Sequence, residues 1–101
     1  FYLMQYTVML TGNAKKQGRK LPSNILDALA LLIVDLQETG PVQTRWPHYG
    51  KIRGKEGVHH CHLNKGKPRY VAVWRESKEQ LELLEIRYVG THENADYSRI
   101  D

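Results

Sequence analysis

Cysteine and long apolar runs are what this sequence has least of. Cys61 is the single cysteine, so an internal disulfide is impossible, and we expect a cytoplasmic location, where thiols stay reduced. A transmembrane helix needs about 18 or more apolar residues in a row, and no such run is present. We predict a single domain over residues 1–101, a usual size for one modest core. Met4 is interpreted as a natural start, with residues 1–3 as an addition in front of it.

Acidic residues are also scarce, but only in the middle of the chain. From Arg45 to Arg75 there are eight Lys or Arg residues and one acidic residue, Glu56, which gives this segment a net charge of +7. Residues 76–101 carry −4 and residues 1–44 carry +1. A basic middle beside an acidic end favours a surface that binds a polyanion, and an ordinary solvated surface is the alternative.

Apolar periodicity predicts an α+β domain. Apolar residues between Pro22 and Gly40 recur at i, i+3, i+4 and i+7, which is typical of a helix with one buried face. Runs of β-branched and aromatic residues predict strands. The predicted order is a strand over 2–10, a short helix over 14–20, the helix after Pro22, a loop over 42–57, and strands over 58–63, 69–75 and 81–89. We expect the last three strands to form an antiparallel run in a small sheet, with the helices packed on one face.

Five histidines are present, and four of them lie between His48 and His62. Successive strand residues point to opposite faces, so His60 and His62 would share one face while His59 and Cys61 share the other. Zinc accepts all of these side chains, but only two converge on either face, and no paired Cys-x-x-Cys or His-x-x-x-His motif is present. We therefore predict no metal and no other cofactor.

Imidazoles and cations together suit the cleavage of RNA. In this reaction the 2′-hydroxyl attacks the neighbouring phosphate, which requires a base, an acid for the departing 5′-oxygen, and cations for the developing charge. His48, His60, His62 and His92 could meet at one sheet face and transfer these protons without a metal. The alternative is that each histidine is a surface or hydrogen-bonded structural residue, and we favour that alternative for His59.

Three segments resemble the RelE/ParE superfamily of bacterial toxins, and within it the YafQ-like ribosome-dependent mRNA interferases. They are Cys61-His62-Leu63, Tyr70-Val71-Ala72-Val73-Trp74-Arg75, and Tyr88-Val89-Gly90-Thr91-His92 with Tyr97 after it. The resemblance covers most of residues 4–97 and implies a RelE-like fold. It also implies the toxin of a type II toxin–antitoxin pair, an endoribonuclease that cleaves mRNA in the ribosomal A site, inhibits translation and is neutralised by a cognate antitoxin.

The resemblance also implies roles for individual residues. His62 and His92 would be the acid–base pair, Tyr97 would stack on or orient a nucleotide, and His48 would match an additional histidine in the loop before the second strand. The remaining residues would contact RNA or its phosphates: Lys51, Arg53 and Lys55 in the loop, with His60, Arg69, Arg75 and Arg87 as further candidates.

Two departures from the YafQ-like pattern leave alternatives open. The acidic residue that follows the strand histidine in that branch has no counterpart between Asn64 and Lys67, and Tyr97 lies one residue farther from His92 than is usual. One alternative is a ParE-like inhibitor of DNA gyrase, a class without these catalytic residues. The other is an inactive relative that only binds RNA or an antitoxin.

Overall fold

Two helices and a five-stranded mixed sheet form the domain in a computed structural model that describes residues 5–100. The elements are β1 (Thr7–Leu10), α1 (Gly12–Gly18), α2 (Ser23–Thr39), β2 (Gly50–Lys51), β3 (Val58–His62), β4 (Tyr70–Glu76) and β5 (Leu83–Thr91). The strand order is β1-β5-β4-β3-β2, in which β1 runs parallel to β5 and all other neighbours are antiparallel. The histidine-rich strand β3 therefore lies between the central strand β4 and the short edge strand β2.

The helices begin and end where the local chemistry allows. The Thr11 hydroxyl caps α1 by accepting a hydrogen bond from the Ala14 amide at 3.2 Å. Pro22 directly precedes α2, since a proline needs no amide partner at a helix start. Gly40 ends α2 with φ at 89°, and a Cβ there would lie 2.7 Å from the Tyr6 ring. Only glycine satisfies both the backbone angle and this close contact.

The two faces of the sheet are covered differently. On one face the helices bury an apolar cluster that includes Leu32 of α2 and Trp74 of β4, both with no solvent exposure. On the other face a smaller cluster of Val58, Val73 and Ile100 is covered by the segment after β5. This second face has no helix over it among residues 5–100, which leaves part of it open for a site.

The predicted α+β class is confirmed, with two corrections to the strands. The sheet has five strands rather than four, because the region expected to be a loop contains β2, whose two residues pair with His60 and His59. β5 also continues to Thr91, past the predicted end at Val89, because it stays paired with β4 as far as Tyr70. The expectations for the start of the first strand and for residues 1–3 lie outside the described residues. None of the helices within residues 5–100 has the length and apolarity to cross a bilayer.

Neighbouring leucines on α2 provide a test of this packing. Leu32 is 0% exposed and Leu31 is 64% exposed. We expect Leu32→Ala to lower the free energy of unfolding by about 2–5 kcal/mol, because it leaves a cavity between α2 and the sheet. Leu31→Ala should change it by less than about 0.5 kcal/mol. Urea denaturation of both variants measures the difference, and equal losses would show that α2 packs through another face.

Candidate active site

Three histidines from distant parts of the chain meet at one end of the sheet. His62 is the last residue of β3, His92 directly follows β5, and His48 lies in the loop before β2. The strand register sets His62 opposite Val71 of β4, and Val71 opposite Gly90 of β5. The His92 amide then donates to the Arg69 carbonyl at 2.7 Å, which extends the pairing beyond the strand. We call His48, His62 and His92 the histidine cluster.

The rings of the histidine cluster are in contact. The rings of His48 and His62 are stacked with centroids 4.2 Å apart, and the His92 ring meets His62 edge-on at 5.5 Å. His62 is only 7% exposed, whereas His48 and His92 are exposed on either side of it. A buried imidazole between two solvent-facing imidazoles has the geometry for two proton transfers to one bound group.

The surroundings of His62 favour its neutral form. Burial lowers the pKa of His62, and the positive charges that His48, His92, Arg69 and His60 can carry lower the pKa further. A neutral imidazole has a free nitrogen lone pair, which is what a general base needs.

His60 lies next to this cluster on the same face of β3. Its ring is tilted against Tyr97 with centroids 5.8 Å apart, and burial, followed by the charges of His92, His48 and His59, lowers its pKa. Its Nδ1 atom is buried without a hydrogen-bond partner among the described residues. Opposite it in the register lies Gly50, where a Cβ would stand 3.3 Å from the His60 Nε2 atom. Glycine at this edge position therefore leaves room for the His60 ring.

Two basic clefts share Arg69 in their lining, and His62 lines one of them. The first, of about 270 Å³, is lined by Pro47, His48, His62, Asn64, Lys65 and Arg69. The second, of about 330 Å³, is lined by Lys67, Pro68, Arg69, Thr91, His92 and Glu93. Three cations thus lie beside the imidazoles, and cations of this kind hold phosphate oxygens. Lys65 and Lys67 were not among the sequence-predicted contacts, although their place in the turn that follows the strand histidine was a usable signal.

Other predicted phosphate contacts lie away from the histidine cluster. Arg75 pairs with Val58, at the opposite end of β3 from His62 and about 13 Å along the strand. Lys51 and Arg53 are exposed beside that same half of β3. Lys55 donates to the Ser98 carbonyl at 3.3 Å and so contacts the C-terminal segment. Arg87 contacts Glu85 at 2.8 Å. Of the predicted cations, the structure places only Arg69 beside the three imidazoles.

His59 and Cys61 face the helix side of the sheet and take no part in the cluster. His59 has no solvent exposure and is bonded to Tyr49 and Glu76. Burial raises the pKa of the Cys61 thiol to about 12, so this cysteine stays protonated and is a poor nucleophile. Within residues 5–100, no group of three or more His, Cys, Asp or Glu side chains is arranged to hold a metal ion.

Gly90 is closely covered by a neighbouring side chain before His92. A Cβ at this position would lie 2.7 Å from the Tyr88 hydroxyl oxygen, which donates to the Thr91 carbonyl at 2.9 Å. The Tyr88 side chain therefore lies across Gly90, and its hydrogen bond to Thr91 stabilises the end of β5. This contact gives a physical reason for glycine in the Gly90-Thr91-His92 motif.

Comparison with solved structures identifies the architecture. A free-state mutant of the Escherichia coli toxin RelE superposes with a TM-score of 0.75 at 22% identity, covering 96% of this chain and 95% of that one. RelE–RelB of Pyrococcus horikoshii gives 0.68 at 16% identity, with coverage of 91% and 100%. A RelBE toxin–antitoxin complex of Mycobacterium tuberculosis gives 0.58 at 26% identity, with coverage of 87% and 99%.

This chain has the RelE/ParE fold. The predicted superfamily is thereby confirmed, and the YafQ-like branch stays a prediction. No family model matches the sequence. No curated protein matches it either.

Within the RelE/ParE fold, both departures from the YafQ-like pattern have a structural counterpart. Asn64 lies in the segment where the YafQ-like branch has an acidic residue, and its side chain stabilises the turn before β4. Its amide nitrogen donates to the Pro68 carbonyl at 3.1 Å, and its oxygen accepts from the Tyr70 amide at 2.8 Å. Tyr97, which lies one residue farther from His92 than in the YafQ-like pattern, packs on the second apolar cluster beside His60.

The lowered pKa of His62 predicts how stability depends on pH. The native state binds this proton less readily than the unfolded chain, where the pKa is near 6.5. The free energy of unfolding should therefore be fully retained above that pH and fall as the pH drops below it, because the unfolded state then binds more protons. We expect His62→Gln to weaken this fall, measured by urea denaturation at about pH 8 and about pH 5. An unchanged difference between the two pH values would contradict the assigned environment of His62.

Proposed function

We propose that this chain is the toxin of a type II toxin–antitoxin pair and that it cleaves mRNA on the ribosome. The observation that carries the proposal is the contact of His62 with both His48 and His92 beside Arg69, on the face of the sheet without helices. The RelE/ParE fold supports the same reading, because the similar structures are toxins and toxin–antitoxin complexes. A ribosome-dependent toxin acts in the cytoplasm, which is the location we propose.

The proposed reaction uses the 2′-hydroxyl of the RNA as the nucleophile. Neutral His62 takes the proton from this hydroxyl as its oxygen forms a bond to the adjacent phosphorus. The bond from phosphorus to the 5′-oxygen breaks, and protonated His92 gives its proton to that oxygen. The products are a 2′,3′-cyclic phosphate and a 5′-hydroxyl end, so atoms and charge balance without another reactant.

The distribution of burial and charge supports this division of roles. His62 is buried among groups that lower its pKa, which suits a base, whereas His92 is exposed at the edge of the neighbouring cleft, where a leaving group has access. Arg69 borders both clefts and would stabilise the added negative charge of the pentavalent phosphate. His48 would complete the first cleft, Lys65 and Lys67 would hold flanking phosphates, and Tyr97 with His60 would contact a neighbouring nucleotide.

The proposed partners are a cognate antitoxin, the ribosome and its mRNA. Two of the similar structures are complexes with RelB-type proteins, which supports an antitoxin. The net charge of +7 between Arg45 and Arg75 suits attraction to the phosphates of ribosomal and messenger RNA. The ribosome would position the message, so the free protein is expected to cut naked RNA poorly.

Substitution of the two proton-transfer residues tests the proposal. Wild-type protein should arrest growth and cut messages on translating ribosomes. His92→Ala and His62→Gln should each lower the cleavage rate by about 100-fold or more, because each removes one proton transfer. Primer extension on messages from a translating extract measures the cuts. Lys78→Ala, in the exposed loop between β4 and β5, is the control and should cut like wild type.

Three results would contradict this proposal. If both histidine variants cleave at wild-type rates and have native circular dichroism spectra, His62 and His92 are not the acid–base pair. Inhibition of DNA gyrase supercoiling by the wild type, with messages intact, would favour the ParE-like class. If expression of the wild type does not affect growth, the alternative of an inactive relative that binds RNA or an antitoxin is favoured.

A further inference from the structure

A hydrogen-bonded row of three side chains lies on the helix side of the sheet, behind the histidine cluster. The Tyr49 hydroxyl is 2.8 Å from His59 Nδ1, and His59 Nε2 is 2.7 Å from a Glu76 carboxylate oxygen. Glu76 is partly solvent-exposed at the end of β4, whereas His59 is fully buried in β3. The row therefore links the surface at one end of the sheet to the loop that carries His48.

The chemistry of the three groups sets the direction of both hydrogen bonds. An ionised carboxylate only accepts, so His59 Nε2 must carry the proton that bonds to Glu76. In the neutral ring Nδ1 is then an acceptor, and the Tyr49 hydroxyl donates to it. Burial and the negative charge of Glu76 raise the pKa of Tyr49, which keeps this hydroxyl protonated. Every polar atom of the buried His59 ring is thus paired.

Aromatic packing fixes the row in place. The His59 and Trp74 rings are nearly parallel, at 7° and 5.9 Å, and Tyr49 stacks on both with centroids 5.9 Å from His59 and 6.1 Å from Trp74. The Trp74 indole nitrogen donates to the Pro41 carbonyl at 3.1 Å, which attaches the start of the same loop to β4. Tyr49 is therefore held by its ring and by its hydroxyl.

His48 sits between two anchored neighbours. On one side the Pro47 carbonyl accepts from the His62 amide at 2.8 Å, and on the other side Tyr49 is fixed to His59. His48 itself has φ at 53°, a left-handed conformation that is uncommon for residues other than glycine. The same backbone conformation brings the His48 ring onto His62 at 4.2 Å.

We propose that Glu76, His59 and Tyr49 are positioning residues that hold His48 against His62. The row supplies the anchoring that the left-handed backbone at His48 requires, and it acts from the opposite face of the sheet. The functional consequence rests on the proposed function, whereas the positioning itself is a property of the free protein. His59, which the sequence predicts to be a structural residue, would thereby support the position of His48.

The pKa of His62 is a readout that a general loss of stability would not change. The groups that face His62 are His48, His92, Arg69 and His60, and the positive charge of His48 is the largest of these influences on its pKa after burial. A variant that releases His48 should therefore raise the pKa of His62 toward its usual value. Histidine side-chain NMR titration of the free protein measures this pKa without RNA or ribosomes.

Tyr49→Phe is the decisive variant, because it removes the hydroxyl and keeps the ring packing. We expect the pKa of His62 to rise in Tyr49→Phe and in Glu76→Ala. Glu76→Gln should retain the wild-type value, since its amide oxygen still accepts from His59. Tyr6→Phe is the matched control, because Tyr6 packs near Gly40, away from the cluster, and should leave the titration unchanged. On the ribosome, Tyr49→Phe should slow cleavage by about 10-fold or more at saturating message, because His48 is displaced from His62.

The outcomes separate the positioning inference from the proposed function. An unchanged His62 titration in Tyr49→Phe and Glu76→Ala overturns the inference, whatever happens to cleavage. A rise in the pKa of His62 in a protein whose wild type cuts no message supports the positioning and rejects the function. If His48→Ala and His48→Ala with Tyr49→Phe cleave at the same rate, Tyr49 acts through His48. A further 10-fold loss in the double variant contradicts that route.

Discussion

Backbone hydrogen bonds between β3, β4 and β5 set the register on which the candidate site depends. They place His62, Val71 and Gly90 side by side on three adjacent strands, and His92 lies two residues after Gly90, just past the end of β5. A shift of one residue in β3 would turn His62 to the helix side and bring His59 or Cys61 to the open face. The apolar residues beneath the helices oppose such a shift, because it would expose them. Core packing and the geometry of the candidate site therefore depend on one register.

Burial and like-charged neighbours together give the histidine cluster its chemical character. Burial, followed by the positive charges that His48, His92, Arg69 and His60 can carry, disfavours the charged form of His62. A bound phosphate would offset that repulsion, so the site is electrostatically suited to a phosphate group. The arrangement needs a fixed His48, and the contacts that fix it come from the opposite face of the sheet. The two faces are thus connected through the short segment around β2.

Sequence reasoning recovered the elements with a clear local signal. The apolar spacing of α2 predicted that helix, because it buries one face, and runs of β-branched and aromatic residues predicted β3, β4 and β5. β2 was missed because its two residues, Gly50 and Lys51, are too few to show a period. The parallel pairing of β1 with β5 joins residues more than seventy positions apart, and no local pattern encodes it.

The candidate site was only partly predictable, because several of its contacts join residues that are distant in sequence. His62 and His92 followed from strand position and from resemblance, and the structure places them in contact. Arg75 shares a cation-rich sequence with Arg69 but lies at the other end of β4, where it pairs with Val58 rather than with His62. The stacking of His48 depends on Tyr49, and its link through His59 to Glu76 spans residues that are distant in sequence.

The central claim is that imidazoles drive attack by the RNA's own 2′-hydroxyl, and the most direct test is chemical. A message carrying a 2′-deoxynucleotide immediately before the cut should resist cleavage on the ribosome, while the all-ribose message is cut. The products of the ribose message should carry a 2′,3′-cyclic phosphate or its hydrolysed form on one fragment and a 5′-hydroxyl on the other. Efficient cleavage of the deoxy message, with a 5′-phosphate on the downstream fragment, would contradict the mechanism.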